Sequence, residues 1–207
     1  MNQQEPFSVG NRLRALRQER GLSLRDVAKG ADVSASLLSQ IESGKVNPSV
    51  ASLLKIASAL QLPINVFFSQ SETEHIQSNV PGPRRARRRK TALPVTPDPT
   101  VRPEIRHVIN LAGGVRWERL TATAEAGIEF LEVVFDEEAS SGTDMLFHAG
   151  REFGYVLEGE AQLELGFEQY VLHPGDSVAF DATLPHRLTN RGQAPMRILW
   201  IRFNMRP

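Results

Sequence analysis

The sequence predicts a two-domain chain: an all-α bundle of about five short helices, then an all-β sandwich or barrel. Three observations carry this expectation. Apolar residues recur at helical spacing from Ser8 to Phe68. From Val115 onward, short runs rich in β-branched and aromatic residues alternate with Gly, Pro and Asn turns. Charge is also unevenly divided. Residues 7–68 carry 8 Lys/Arg against 4 Asp/Glu, residues 69–103 carry 7 against 3, and residues 104–207 carry 9 against 16. The formal net charge of zero conceals this asymmetry, which assigns different work to the two halves. A basic N-terminal half suits a polyanionic partner; an acidic C-terminal half does not. The expected boundaries are 7–68, 69–103 and 104–207.

In the first domain Val9, Leu13 and Leu16 form one stripe, and Leu24, Val27, Ala28 and Ala31 a second. Leu37, Leu38 and Ile41 form a third, and Leu53, Ile56, Ala57 and Leu60 a fourth. Gly21 stops the first helix, and Ser23 can cap the second. Ser34 can cap the third, which Gly44 ends. Asn47 or Ser49 starts the fourth, with Pro48 in its first turn. A short fifth turn follows Leu62-Pro63 and ends in Val66, Phe67 and Phe68. Only a few residues around Asp32 and Val33 join helices two and three, a length that fits a helix-turn-helix. The third helix turns Leu37, Leu38 and Ile41 inward, leaving Ala35, Ser36, Ser39 and Gln40 on the opposite face. That face is small and polar, so it can approach a major groove closely. Gln40 carries an amide suited to an adenine edge. A solvated helix face would show the same pattern.

The run GLSLRDVAKGADVSASLLSQIESGKVNPSVASLLKIASAL closely resembles the Cro/phage-repressor type of helix-turn-helix, also called the xenobiotic-response-element regulator family. Ser39 to Ser49 is its most specific part. The resemblance implies that Ala35, Ser36 and Gln40 face bases, with Ser39 beside them and Ser34 at the start of the recognition helix. It places Ser43, Lys45 and Asn47 at phosphates, and makes Arg17 and Glu42 an internal ion pair. The family often has Gln at the second position of helix two, where it touches phosphate; here Leu24 stands there, so that contact is either lost or taken over by Arg25.

Residues 69–103 are proline-rich and poor in large apolar residues, as a linker is. Arg84, Arg85, Arg87, Arg88, Arg89 and Lys90 form a dense basic cluster there. The cluster is either a solvated run or an auxiliary contact to DNA phosphates, which would add affinity without sequence information.

In the third segment, strand candidates are WERLTA, EFLEVVF, FGYVLEGEAQLEL, YVLHPGDSVAF, HRLTN and MRILWIRF. Turns fall at Gly127, Glu158-Gly159, Pro174-Gly175-Asp176 and Asn190-Arg191-Gly192. A barrel of this size can hold one small ligand. His148 and Glu152 are four apart, a separation that puts both on one face of a strand. His186 precedes Asn190 by the same interval. Imidazole plus carboxylate is a ligand set for Fe(II), Mn(II), Zn(II) or Ni(II).

The order of these parts resembles the cupin superfamily, whose first motif is G-x5-H-x-H-x3-4-E-x6-G. His148, Glu152 and Gly159 fit its second His, its Glu and its final Gly, while Leu146 stands at the first His. Gly175, His186 and Asn190 fit the second motif, with Asp181 and Thr183 at its Pro and inner Gly. The resemblance implies a double-stranded β-helix, that is, a jelly-roll barrel. Three readings of His148, Glu152 and His186 stay open: a divalent metal site completed by water or effector, a metal-free effector pocket with Arg151, Tyr155 and Arg187 as nearby polar candidates, and polar core residues that satisfy one another. No cofactor is required, and a divalent metal is compatible with the third segment.

The whole chain resembles bacterial regulators that join such a DNA-binding domain to a single cupin sensor. The resemblance implies a double-stranded operator, a small-molecule effector such as a polyamine or amino acid, repression, and a homodimer or higher oligomer. The alternative is a metal-dependent cupin enzyme carrying a DNA-binding domain, against which Leu146 counts. With no cysteine, disulfides and thiolate metal sites are excluded. The sequence shows neither a membrane span nor a signal peptide, and a cytoplasmic regulator rather than an enzyme is expected.

Overall fold

A computed structural model describes residues 8–68 and 98–203. The basic cluster 84–90 and most of the expected linker lie outside the described residues. The first body holds four α-helices, α1 (Val9–Glu19), α2 (Leu24–Gly30), α3 (Ala35–Glu42) and α4 (Val50–Ala59). The expected fifth helix is a 3-10 turn, Ile64–Phe68. Local chemistry sets the boundaries. Ser23 and Asp26 form a reciprocal capping box at α2, and Ser34 Oγ accepts from Leu37 N–H at α3. Ser49, not Asn47, caps α4, which leaves Pro48 just outside the helix. Gly21 and Gly44 take left-handed φ values of 64° and 69° as α1 and α3 end.

Helices α1 and α3 cross at Gly10. A Cβ at Gly10 would stand 2.0 Å from the Ile41 carbonyl oxygen. Gly10→Ala must therefore force the two helices apart. Overpacking against backbone is expected to cost about 1–3 kcal/mol or more. In a domain this small each kcal/mol lowers the melting temperature by roughly 4–8 °C. Thermal melting followed by far-ultraviolet circular dichroism checks this.

The second body is all antiparallel. A six-stranded sheet has the order β1 (Val108–Leu111), β2 (Val115–Arg119), β3 (Ile128–Phe135), β9 (Met196–Phe203), β4 (Arg151–Glu158), β7 (Ser177–Asp181). A three-stranded sheet has the order β6 (Glu168–Leu172), β5 (Ala161–Leu165), β8 (His186–Asn190). The run FGYVLEGEAQLEL turns at Gly159, φ 81°, and its two halves join different sheets. Alternation decides what each strand offers the interior. On β9, Met196, Ile198, Trp200 and Arg202 are buried; on β4, Glu152, Gly154 and Val156 are. Gly154 pairs with Trp200, and a Cβ there would lie 2.4 Å from the indole, so this glycine makes room for Trp200. Asn190 is fully buried, and its amide donates to the carbonyls of Asp136 (2.9 Å) and Ala194 (2.8 Å), tying two turns to β8.

The two bodies touch directly. Asn65 donates to the Glu125 and Ile128 carbonyls at 3.0 and 3.1 Å, and Ala112 N–H to the Pro48 carbonyl at 2.9 Å. The buried Arg119 guanidinium lies 5.9 Å from the centre of the Phe68 ring. No helix among the described residues is long and apolar enough to cross a membrane.

Candidate functional site

The outer face of α3 is held by what lies beneath it. Leu38 and Ile41 are buried, and Glu42 receives two hydrogen bonds from Arg17, at 2.6 and 2.8 Å. With the inner face anchored, Ala35, Ser36, Ser39 and Gln40 stand exposed side by side. Arg25, Ser34, Ser43, Lys45 and Asn47 are exposed as well. The Ser34 hydroxyl is taken up by capping, and Ser43 Oγ donates to the Gln40 carbonyl at 3.1 Å. The side chains of Ser36, Ser39 and Gln40 carry exposed donors and acceptors of the kind that can pair with a base edge. Leu24 packs against the domain core, as its place in the apolar stripe predicts.

In the barrel, His148, Glu152 and His186 come together, their ligand-type atoms all within 4.8 Å of one another. The route differs from the expected shared strand face. Glu152 is on β4, but His148 lies in the loop before it, where its N–H donates to the Ala182 carbonyl. His186 opens β8 and forms a two-way bridge with Leu146. Each imidazole has one nitrogen against a carbonyl oxygen: His148 Nδ1 on Ala149 at 3.1 Å, and His186 Nδ1 on Leu184 at 2.8 Å. A carbonyl can only accept, so Nδ1 of each ring carries a proton, and the Nε2 of each ring faces Glu152. His148 Nε2 is 3.0 Å from Oε1, and His186 Nε2 is 3.4 Å from Oε2. His186 Nε2 is buried without a hydrogen-bond partner. Burial lowers the His186 pKa more than Glu152 raises it, so the ring is neutral.

Converging acceptors of this kind need a cation or a donor among them. Sequence reasoning missed the one the chain supplies. The Arg202 guanidinium places Nε 3.0 Å from Glu152 Oε1 and Nη2 3.3 Å from His148 Nε2; Nη1 donates to Glu129 at 2.8 Å. Burial works to raise the Glu152 pKa, but the His148 hydrogen bond and the Arg202 charge outweigh it and hold the carboxyl below its usual range. The signal was present in MRILWIRF, where period two puts Arg202 on the same face as Ile198 and Trp200.

A pocket opens beside this cluster. Glu152, His186 and Arg202 give it its polar end; Trp117, Leu131, Val133 and Trp200 are among its apolar walls, with Val50 and Leu54 of α4. Tyr155 does not reach it: Tyr155 is 45% exposed on the outer face of β4, because parity sends it opposite to Glu152. Arg187 is occupied by Glu164, and Arg151 lies over the Phe153 ring; neither lines the pocket.

The His–Glu–His donor set can hold a divalent metal. Two carbonyl-fixed imidazoles and a carboxylate are a sound ligand set, and His186 Nε2 has no competing donor. When bound, such an ion would supply Lewis-acid attraction for a ligand atom in the pocket. Leu146 lines the same pocket. Leu146→His is therefore expected to strengthen Ni2+ or Co2+ binding, seen as a stoichiometric rather than weak isotherm in calorimetry. An unchanged isotherm would show that the side chain at 146 does not converge on the other three.

A helix-turn-helix family profile matches residues 13–67, and a cupin domain profile matches residues 131–202. The chain is 26% identical over 197 residues to the HTH-type transcriptional regulator PuuR of Escherichia coli, covering 94% of each chain. It is 46% identical over 57 residues to the HTH-type transcriptional repressor RghR of Bacillus subtilis, covering 27% of this chain and 42% of that one. A solved HTH_3 family transcriptional regulator from Vibrio cholerae superposes with a TM-score of 0.64 at 24% identity, covering 96% of each chain, a likeness of fold.

Proposed function

From a chain that joins a phage-repressor-type helix-turn-helix to a cupin domain, we infer a sequence-specific transcriptional repressor whose DNA affinity is set by a small molecule in the barrel. The observation that carries this reading is the pairing, in one chain, of an exposed polar recognition face with an internal pocket that ends in Glu152, His186 and Arg202. The face suits a major groove; the pocket suits a small metabolite with a polar end and an apolar body. Lys45 and Asn47, in the segment between α3 and α4, act at phosphates and position the domain, whereas Ser36 and Gln40 read bases.

The protein acts as a homodimer on a palindromic site. A surface for this exists on the six-stranded sheet. Phe130, Ile201 and Phe153 align across β3, β9 and β4, and Leu199 lies beside Tyr155, with Phe153 and Tyr155 exposed. Sedimentation or light scattering should give twice the chain mass, and Phe153→Glu should return it to the monomer.

Selection of duplexes from a random library, followed by anisotropy titration, tests the DNA reading. Ser36→Ala with Gln40→Ala is expected to remove about 1–3 kcal/mol of discrimination per lost base contact. Lys45→Ala should instead weaken all duplexes alike and lower the salt slope by about one. If no duplex is enriched, the DNA-binding reading fails. A thermal-shift screen of polyamines, amino acids and metals, repeated with the selected duplex, tests the ligand. A stabilising ligand that leaves duplex affinity unchanged at fixed salt would refute regulation through the pocket.

A further inference from the structure

The helical domain does more than sit beside the barrel. Val50, the first residue of α4, and Leu54, one turn later on the same helix face, both line the barrel pocket. Val50 is buried. The start of α4 is seated on the barrel at two further points. The Pro48 carbonyl accepts from Ala112 N–H, and the Ala51 Cβ lies 3.9 Å from where a Cβ at Gly142 would be. Gly142 follows Ser141, itself a pocket residue. Immediately before α4 runs the exposed segment with Ser43, Lys45 and Asn47.

We propose that the DNA-binding domain supplies one wall of the ligand site. Val50 and Leu54 touch the apolar body of the bound molecule and set the size it can have. Pocket and DNA are therefore coupled through α4 inside a single chain. This rests on the reading above, that the chain binds both DNA and a pocket ligand. The ligand class it implies is a small molecule whose polar end meets Glu152, His186 and Arg202 and whose apolar end presses on α4. A molecule that fills the space against Val50 and Leu54 displaces the start of α4. The 43–49 segment moves with it, while α3 stays anchored by Arg17 and Glu42. Phosphate contacts and base contacts then no longer fit one duplex together. Couplings between sites are typically about 5- to 150-fold in affinity, and they are reciprocal. DNA binding must therefore be felt in the pocket even when no ligand is present.

The chain contains its own reporter. Its two tryptophans, Trp117 and Trp200, both line the pocket. Acrylamide quenching of their fluorescence, in full-length protein with and without a duplex selected from the random library, reads pocket access directly. The expected result is a shift of the quenching constant with the selected duplex and none with a scrambled one. Leu54→Ala, checked for an intact melting transition, should raise the quenching constant without DNA. The chain has no cysteine, so Ala51→Cys with Gly142→Cys gives a single pair, close to the Cβ separation of about 3.8 Å that a disulfide needs. Oxidation should pin α4 to the barrel. The DNA-induced shift should then be lost and return on reduction, with DNA binding itself retained.

Specific duplex binding with unmoved tryptophan quenching overturns the coupling while leaving the DNA-binding reading intact. A shift that persists in the oxidised pair overturns it too. A Leu54→Ala variant with unaltered quenching removes Leu54 from the pocket wall. If no duplex is enriched at all, both this proposal and the DNA-binding reading fall.

Discussion

Glu42→Ala is expected to remove a large part of the stability of the DNA-binding domain, about 3–5 kcal/mol. Glu42 is buried at the C-terminal end of α3, and its carboxylate takes both fork hydrogen bonds of Arg17 from α1. Arg17 is itself only 11% exposed in its side chain, and a further N–H donates to the Leu22 carbonyl at 2.9 Å. One guanidinium thus ties α1, the α1–α2 turn and α3 together. Removing the carboxylate leaves a buried cation with one carbonyl partner. Breaking a buried pair from one side costs about 3–5 kcal/mol, against a total of about 5–15 kcal/mol for a typical domain. Replacing both partners by apolar residues, as in Arg17→Met with Glu42→Leu, is expected to recover most of the loss, because no charge is then stranded. Urea melts of the single and double variants check this. Equal destabilisation in both would show that the loss lies in helix packing, not in an orphaned charge.

Arg202→Leu is expected to have a comparable effect on the barrel and a distinctive pH dependence. Arg202 is buried between Glu129 and Glu152, which are buried too. The cost is again about 3–5 kcal/mol. In the native chain Glu152 is held below its usual pKa, so its contribution is present above the usual carboxylate range and is lost as pH falls through the lowered value. In the variant Glu152 keeps the burial that raises its pKa but loses the Arg202 charge that lowers it, so its folded-state pKa moves up. Its ionised form then stabilises the fold less, so the loss of stability as pH falls through the carboxylate range should be smaller in the variant than in the native chain. Melting temperatures across that range, with Glu152→Gln added to Arg202→Leu, test the sign. A partial rescue that flattens the pH dependence is the expected outcome; a variant that keeps the native slope would place the stabilising charge elsewhere.

Much of this was legible beforehand where the governing contacts are close in sequence. The caps at Ser23 and Ser34, the glycine stops at Gly21 and Gly44, and the inward stripe of α3 each depend on residues within one or two turns. The pairing of Arg17 with Glu42 came from family resemblance, not from periodicity. The meeting of His148 with Glu152 was expected for the wrong local reason, a shared strand face, when a loop delivers the histidine. Tyr155 was expected in the pocket and faces outward, because strand parity opposes it to Glu152.

Sequence by itself determined the two architectures, their order, the exposed polar face of α3 and the residues from which a pocket site could be built. Those features follow from periods of 3.6 and 2 and from turn chemistry, all of which act over a few neighbours. Only the tertiary structure decided that Arg202 enters the histidine–glutamate cluster and that Val50 and Leu54 of the helical domain close the barrel pocket. Such contacts join segments far apart in the chain, here Arg202 to Glu129 across 73 residues. They arise from how whole faces pack, and packing of one face against another leaves no periodic trace in either segment.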